Sequence, residues 1–286
     1  MQYEDIGYSI RFDLRSIDLL RFDVDREYLR VISPFTRLYL ITEGYGWIKI
    51  EGEKITLEPG YLYLIPSFRS CSYHFAQNLE HYYIHFSTLL INGLNVYSLY
   101  KTIRKVKATE LDYKLFERLL YLNPGIEIPH HDPNVYQNKE WMNRKLNFHS
   151  ASHYNENRGI LDQLFSRFIT DEENISQNEL VRYNFNRILK HIQNNLTESI
   201  SVDSLAEIAC LSRDHFIKVF KKATALPPCA FIISKRIEKA QFLLLTTDLP
   251  IKKIIEETGF KSFSYFSRIF KTHTSFSPIE YRKFRQ

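Results

Sequence analysis

The 286-residue sequence predicts a multidomain α and β chain: a strand-built N-terminal domain with accompanying helices, then an all-α C-terminal domain. Three observations carry this. Short β-rich runs separated by turn residues fill residues 8–90, helical spacing takes over afterwards, and a helical hairpin recurs about fifty residues apart near the C-terminus.

Composition sets the bounds. With 44% hydrophobic and 25% charged residues the chain can bury a core, which excludes disordered and fibrous classes. No apolar run approaches the roughly 18–20 residues of a membrane span. The opening Met1-Gln2-Tyr3-Glu4-Asp5 is acidic where a signal peptide is basic. Cys71, Cys210 and Cys229 are isolated, so neither a disulfide framework nor a metal cluster is expected. A cytoplasmic protein without a membrane partner is the expectation. The net charge of +5 is unevenly spread: residues 180–286 carry 18 Lys and Arg against 9 Asp and Glu, and the rest is mildly acidic. That balance suits one domain that meets a polyanion and one that does not.

Taken in order, Arg37–Thr42, Trp47–Ile50, Lys54–Leu57, Tyr61–Ile65 and His81–Phe86 are β-rich. Glu43-Gly44-Tyr45-Gly46, Glu51-Gly52-Glu53 and Glu58-Pro59-Gly60 supply turns between them. Short strands with close turn signals indicate a sandwich or barrel. Helical spacing follows over 108–122, with Leu111, Leu115, Leu119 and Leu122 on one stripe. Asn123–Asn138, with Pro124, Pro129 and Pro133, is loop-like, and the histidines of its His130-His131-Asp132 are expected at the surface without a metal. A second amphipathic segment aligns Ile160, Leu161, Leu164, Phe165, Phe168 and Ile169. The expected division is a first domain over 1–170, a linker over 171–179 and a helical domain over 180–286, opened by a stripe of Phe185, Ile188, Leu189, Ile192 and Leu196.

The repeat is the strongest signal. Val202–Leu211 lies on Ile251–Phe260 at an offset of 49, and His215–Lys221 on Tyr265–Lys271 at an offset of 50; Pro228 then matches Pro278, and Phe231 matches Tyr281. Each copy is a short helix, a turn and a second helix with basic residues between its apolar positions, the layout of a helix-turn-helix. In the first copy Phe216, Val219 and Phe220 are expected inward, leaving Asp214, Ile217, Lys218 and Lys221 outward. In the second, Phe266, Ile269 and Phe270 turn inward and Ser264, Tyr265, Ser267, Arg268 and Lys271 outward. A mid-helix Lys or Arg can reach guanine O6 and N7. Lys221, Lys222, Lys261 and Lys271 suit phosphates. Between the copies, Pro228–Thr246 reads as one helix about 28 Å long, against about 34 Å for a turn of B-DNA.

Residues 182–286 resemble the AraC/XylS family of bacterial transcription regulators. The resemblance rests on Ile237-Glu238-Lys239-Ala240, Leu243-Leu244, Thr258-Gly259-Phe260, Tyr265–Lys271, Ser277-Pro278 and Tyr281-Arg282-Lys283. It implies double-stranded DNA as partner, with base-reading positions at Asp214, Ile217, Lys218, Ser264, Tyr265, Ser267 and Arg268. It also implies no catalytic activity and no cofactor, a homodimer, and RNA polymerase as a further partner if the protein activates. Cys210 stands in place of a turn Gly, and Ala225 and Ser275 where the family usually has Gly after each reading helix. A non-Gly residue at positive φ costs about 1 kcal/mol there.

The front domain resembles a cupin barrel, the effector-binding half of sugar-responsive members. In the cupin pattern Gly60 and Pro66 match, whereas Phe68 replaces a Gly and Cys71 a metal-binding His. Arg37 occupies the place of a glutamate ligand, and a cation there opposes metal binding. A buried Arg is costly unless paired, so Arg37 is expected to meet Glu43 or an oxygen-rich ligand. Alternation puts Arg37, Tyr39, Ile41 and Glu43 on one face. The resemblance places sugar contacts at Glu43, Tyr73, His81 and Tyr83, with Trp47 as a stacking platform. It also casts the helices near 111–122 and 158–170 as a dimer pair through Leu164, Phe165, Phe168 and Ile169, although the same stripe can pack on the barrel. The expected function is transcriptional regulation by a small molecule, a carbohydrate, bound in the barrel. Control by a protein partner without an effector is one alternative, and a cupin enzyme fused to a DNA-binding tail is another.

Overall fold

The computed structural model describes residues 10–50, 52–90, 96–99, 102–137, 146, 148–170, 179–224 and 226–283. The chain divides into two compact units, the first built from Phe12–Thr88 and Lys101–Thr170, the second chiefly from Asp171–Lys283. No helix among the described residues is long and apolar enough to cross a membrane.

The first unit is a two-sheet β structure. Strands β1 (Ile10–Arg21), β8 (Glu80–Leu90), β3 (Thr36–Glu43), β6 (Tyr61–Ile65) and β9 (Lys105–Lys107) form one sheet in that spatial order. β2 (Arg26–Val31), β7 (Cys71–Phe75), β4 (Gly46–Ile50) and β5 (Glu53–Leu57) form the other. Strand alternation sends Tyr39, Ile41, Ile48, Ile50, Tyr63, Ile65, Tyr73 and Phe75 into one shared core. At the cupin position filled by Phe68, the backbone takes φ 59°, the left-handed conformation that the pattern's Gly would supply.

β3 is buried on both faces, because helices cover the outer side of its sheet. Helix α1 (Glu110–Leu122) starts at a capping box between Thr109 and Asp112. It sets Phe116 against Tyr82 at 5.7 Å. The Pro133–Tyr136 segment forms a single turn, α2. Helix α3 (Ala151–Ser166), capped by Ser150, sets Phe165 5.4 Å from Phe12 and 6.4 Å from Phe86. This corrects the dimerisation stripe. Leu164, Phe165 and Phe168 are at most 2% exposed and Ile169 is half-buried, so their apolar area is already covered within one chain.

The linker expected at 171–179 falls, up to residue 178, outside the described residues. The second unit comprises α4 (Glu179–Asn194), α5 (Val202–Ala209), α6 (Arg213–Thr224), α7 (Pro228–Thr246), α8 (Ile251–Glu257), α9 (Phe263–Thr274) and α10 (Pro278–Arg282). Ile188, Leu189, Ile192 and Leu196 of the opening stripe are buried. The copies carry one internal frame twice. Phe216, Phe220 and Phe231 pack tilted and edge-to-face in series at 5.4 and 5.3 Å; Phe266, Phe270 and Tyr281 repeat the series at 5.5 and 5.1 Å. The Thr224 hydroxyl lies 2.9 and 2.8 Å from the carbonyls of Phe220 and Leu226, and Thr274 does the same with Phe270 and Phe276 at 2.8 and 3.0 Å. Helix α7 packs against α6 of the first copy and against α8, α9 and α10 of the second.

The Gly replacements carry the cost their positions imply. Cys210 caps α5 at φ 55° and Ser275 caps α9 at φ 66°, both left-handed; Ala225 lies outside the described residues. Cys210→Gly and Ser275→Gly are therefore each expected to stabilise the protein, by about 0.5–1 kcal/mol. A rise in the urea midpoint checks this, and an unchanged or lowered midpoint in both would show that the left-handed strain is absent.

Candidate nucleic-acid interface and barrel pocket

The second helix of each copy buries its phenylalanines and leaves an outward polar face. On α6, Asp214 and Lys218 are exposed and Ile217 is half-buried; on α9, Ser264, Tyr265 and Arg268 are exposed and Ser267 is half-buried. Val219 and Ile269, expected inward, are only half-buried and sit at the edge of the stripe. Lys221, Lys261 and Lys271 are exposed, while the Lys222 side chain lies outside the described residues. Ser262 caps α9 by accepting a hydrogen bond from the Tyr265 amide, which fixes the first turn of the helix. The Arg268 guanidinium lies 5.7 Å from the Tyr265 ring centroid, a cation–π pair that limits how far the long side chain wanders. Arg213 of α6 is held by Asp203 of α5 at 2.9 Å, bracing the second helix of the copy on the first.

Two further exposed residues lie on this surface. His215 matches Tyr265 at the repeat offset of 50 and is exposed like it. Phe263, the first residue of α9, is 55% exposed and adjoins Ser264 and Tyr265 on this surface. The repeat alignment could have revealed His215, because it aligns with a position already assigned to reading.

In the first unit a pocket opens into the core between the sheets. Arg37, Tyr73, His81 and Tyr83 all line it, as expected. Glu43 and Trp47 do not, for two local reasons. The β3–β8 register shifts between Ile41 and Glu43, a bulge that turns Glu43 outward, where it pairs with Arg21 at 3.2 Å instead of Arg37. Along β4, Gly46, Ile48 and Ile50 point inward, so Trp47 faces out and stacks on His74 at 5.9 Å beneath the Lys54 ammonium.

Arg37 is 2% exposed. Its Nη1 donates to Cys71 Sγ at 3.2 Å, its Nη2 donates to Ser33 Oγ, and Tyr136 is a further side-chain partner. The guanidinium lies 5.0 Å from the Tyr73 ring centroid and 5.7 Å from that of Phe35. Its Nε has no hydrogen-bond partner, and no carboxylate among the described residues pairs with it. Burial holds His81 neutral, with its pKa lowered to about 3, and lowers that of His85 as well. Burial also raises the Cys71 thiol to about 11 and the Tyr136 phenol to about 12. At neutral pH the buried lining thus holds Arg37 as a cation among neutral groups.

The stretch read as a loop supplies the pocket's cover. Ile128, His131, Pro133 and Tyr136 line it, the Ile128 amide donates to the Tyr83 hydroxyl at 3.0 Å, and Tyr136 stacks on His85 at 5.8 Å. His131, expected as a surface histidine alone, also sets its ring edge against Phe22 at 6.2 Å. Nothing periodic in a proline-rich stretch announces such contacts.

Residues 205–283 match a family model described as a helix-turn-helix domain. The Msm operon regulatory protein of Streptococcus mutans is 33% identical over 98 residues, 34% of this chain and 35% of that protein. The xylose operon regulatory protein of Escherichia coli is 33% identical over 94 residues, 33% of this chain and 24% of that one. The matched part thus spans about a third or less of these two curated relatives, which are named as regulators and not as enzymes. Over the whole length, the structure of apo ToxT from Vibrio cholerae shares the fold: TM-score 0.52, 14% identity, 97% of this chain and 98% of that one. The doubled aromatic frame, the linker-helix motifs and these matches lead to one assignment: residues 205–283 form a helix-turn-helix domain of the AraC type.

Proposed function

We propose that the protein is a sequence-specific DNA-binding transcriptional regulator whose barrel pocket takes a small-molecule effector. One observation carries the DNA half. The two copies keep the same buried aromatic series, while their outward residues differ: Asp214, Ile217 and Lys218 on one helix, Ser264, Tyr265, Ser267 and Arg268 on the other. A scaffold used twice with different exposed side chains suits the reading of two different base sequences. The effector half is supported by the pocket at Arg37, whose buried cation has an open Nε and a covering segment. Effector binding would shift the populations of DNA-binding arrangements.

Selection of the full chain against random duplexes tests this. Recovered sites are expected to hold two unlike motifs about one helical turn apart, with affinity falling steeply as salt rises. Equal affinity for all duplexes would remove the sequence-reading role.

A further inference from the structure

We propose that the effector is a carboxylic acid, bound through its carboxylate to Arg37; this rests on the barrel being the effector site. The charge inventory is the starting point. The lining brings Arg37, His81, His85, His131 and five tyrosines together with no Asp or Glu. A neutral polyol is held by acceptors as well as donors, and its binding leaves a buried guanidinium as uncompensated as before. A carboxylate accepts from the guanidinium with charge assistance and supplies the missing countercharge.

Free polar atoms point the same way. Arg37 Nε and His81 Nδ1 are both buried without a hydrogen-bond partner. Arg37 and His81 are each 2% exposed. The neighbours that Arg37 does have, Ser33, Cys71 and Tyr136, are neutral groups. Tyr136 arrives on the covering segment, so its phenol holds a place on the cation that a ligand oxygen would take. The space now free is small, about 30 Å³, so the body of an acid must displace Tyr136 and the Ile128–Tyr136 cover rather than slip beneath it. Displacement of that segment is the signal that binding would generate. The aromatic rings around Arg37 suit a planar or short aliphatic acid.

The test is calorimetric titration and thermal shift of the full chain with acetate, lactate and benzoate, each beside its neutral amide, and with arabinose and xylose. At least one acid is expected to bind and raise Tm while its amide does not. Arg37→Met is expected to weaken that acid by at least about tenfold, a loss set by a charge-assisted pair. Arg37→Lys, which keeps the charge, should restore part of it. Tyr136→Phe should bind the acid at least as tightly as the unmodified chain, since a competitor for the cation is gone. An amide that binds as well as its acid, or an acid response untouched by Arg37→Met, overturns the proposal. A sugar response without an acid response overturns it while leaving the barrel as effector site. Silence toward every probe overturns the acid class, and the effector reading of the barrel then falls too if sequence-selective DNA binding persists unchanged.

Discussion

Gly259→Ala is expected to destabilise the C-terminal unit by about 2–4 kcal/mol, combining left-handed strain with a backbone clash. Gly259 has φ +73°, and a Cβ built on it would stand 2.2 Å from the Leu196 carbonyl oxygen and 2.9 Å from Thr197 Cα. Both obstacles are backbone, and the segment that carries them is pinned. Arg236 donates from Nε to the Leu196 carbonyl at 2.9 Å and from Nη2 to the Glu198 carbonyl at 2.6 Å. The turn between α8 and α9 therefore cannot accept a methyl without moving α9, and with it Ser264, Tyr265 and Arg268. Gly60→Ala provides the comparison: its φ is +80° but nothing lies within 4 Å of the added Cβ. That variant should lose only about 1 kcal/mol, the conformational share alone. Urea unfolding of both variants, together with gel-shift affinity on a selected site, separates the terms. Equal losses in the two would show that the close approach to Leu196 contributes nothing.

The C-terminal unit was legible because its signals are local. Aromatic residues at i and i+4 define each buried stripe, and repetition at an offset of 50 doubles the information at every position, so Phe216 with Phe220 and Phe266 with Phe270 were assigned inward correctly. The pocket was only half legible. Alternation placed Arg37 and Tyr39 inward, but a one-residue bulge after Ile41 reversed Glu43, and no residue type marks a bulge of that kind. Trp47 suits ring stacking by its chemistry, but the alternation of its own strand turns it outward. Tyr136 and His131 come from a stretch about a hundred residues beyond Arg37, brought there by tertiary packing that periodicity does not encode. The Leu164–Phe168 stripe shows a further limit. An amphipathic face declares that it must be covered, not whether the covering surface is the chain's own sheet or another copy.

Arg268→Ala is expected to leave folding intact and to reduce binding to a selected site by about 1–3 kcal/mol, with the loss confined to one base position. Arg268 is exposed, so its removal opens no cavity, and the aromatic frame of Phe266, Phe270 and Tyr281 lies on the other side of the helix. Its planar guanidinium, limited by the Tyr265 ring, matches the two acceptors of guanine, whereas a point charge at the end of a flexible stem does not. Lys271, one turn further toward the C-terminus and also exposed, provides the contrast. Lys271→Ala should weaken all duplexes alike and lower the salt slope by about 1, the behaviour of a phosphate contact. The pair of variants, titrated on single-base variants of one site at two salt concentrations, distinguishes reading from positioning on the same helix. If Arg268→Ala behaved as Lys271→Ala is expected to, the second copy would hold DNA without reading it at that position. Specificity there would then have to come from Ser264, Tyr265, Ser267 or the exposed Phe263, whose apolar ring can distinguish thymine by its methyl group alone.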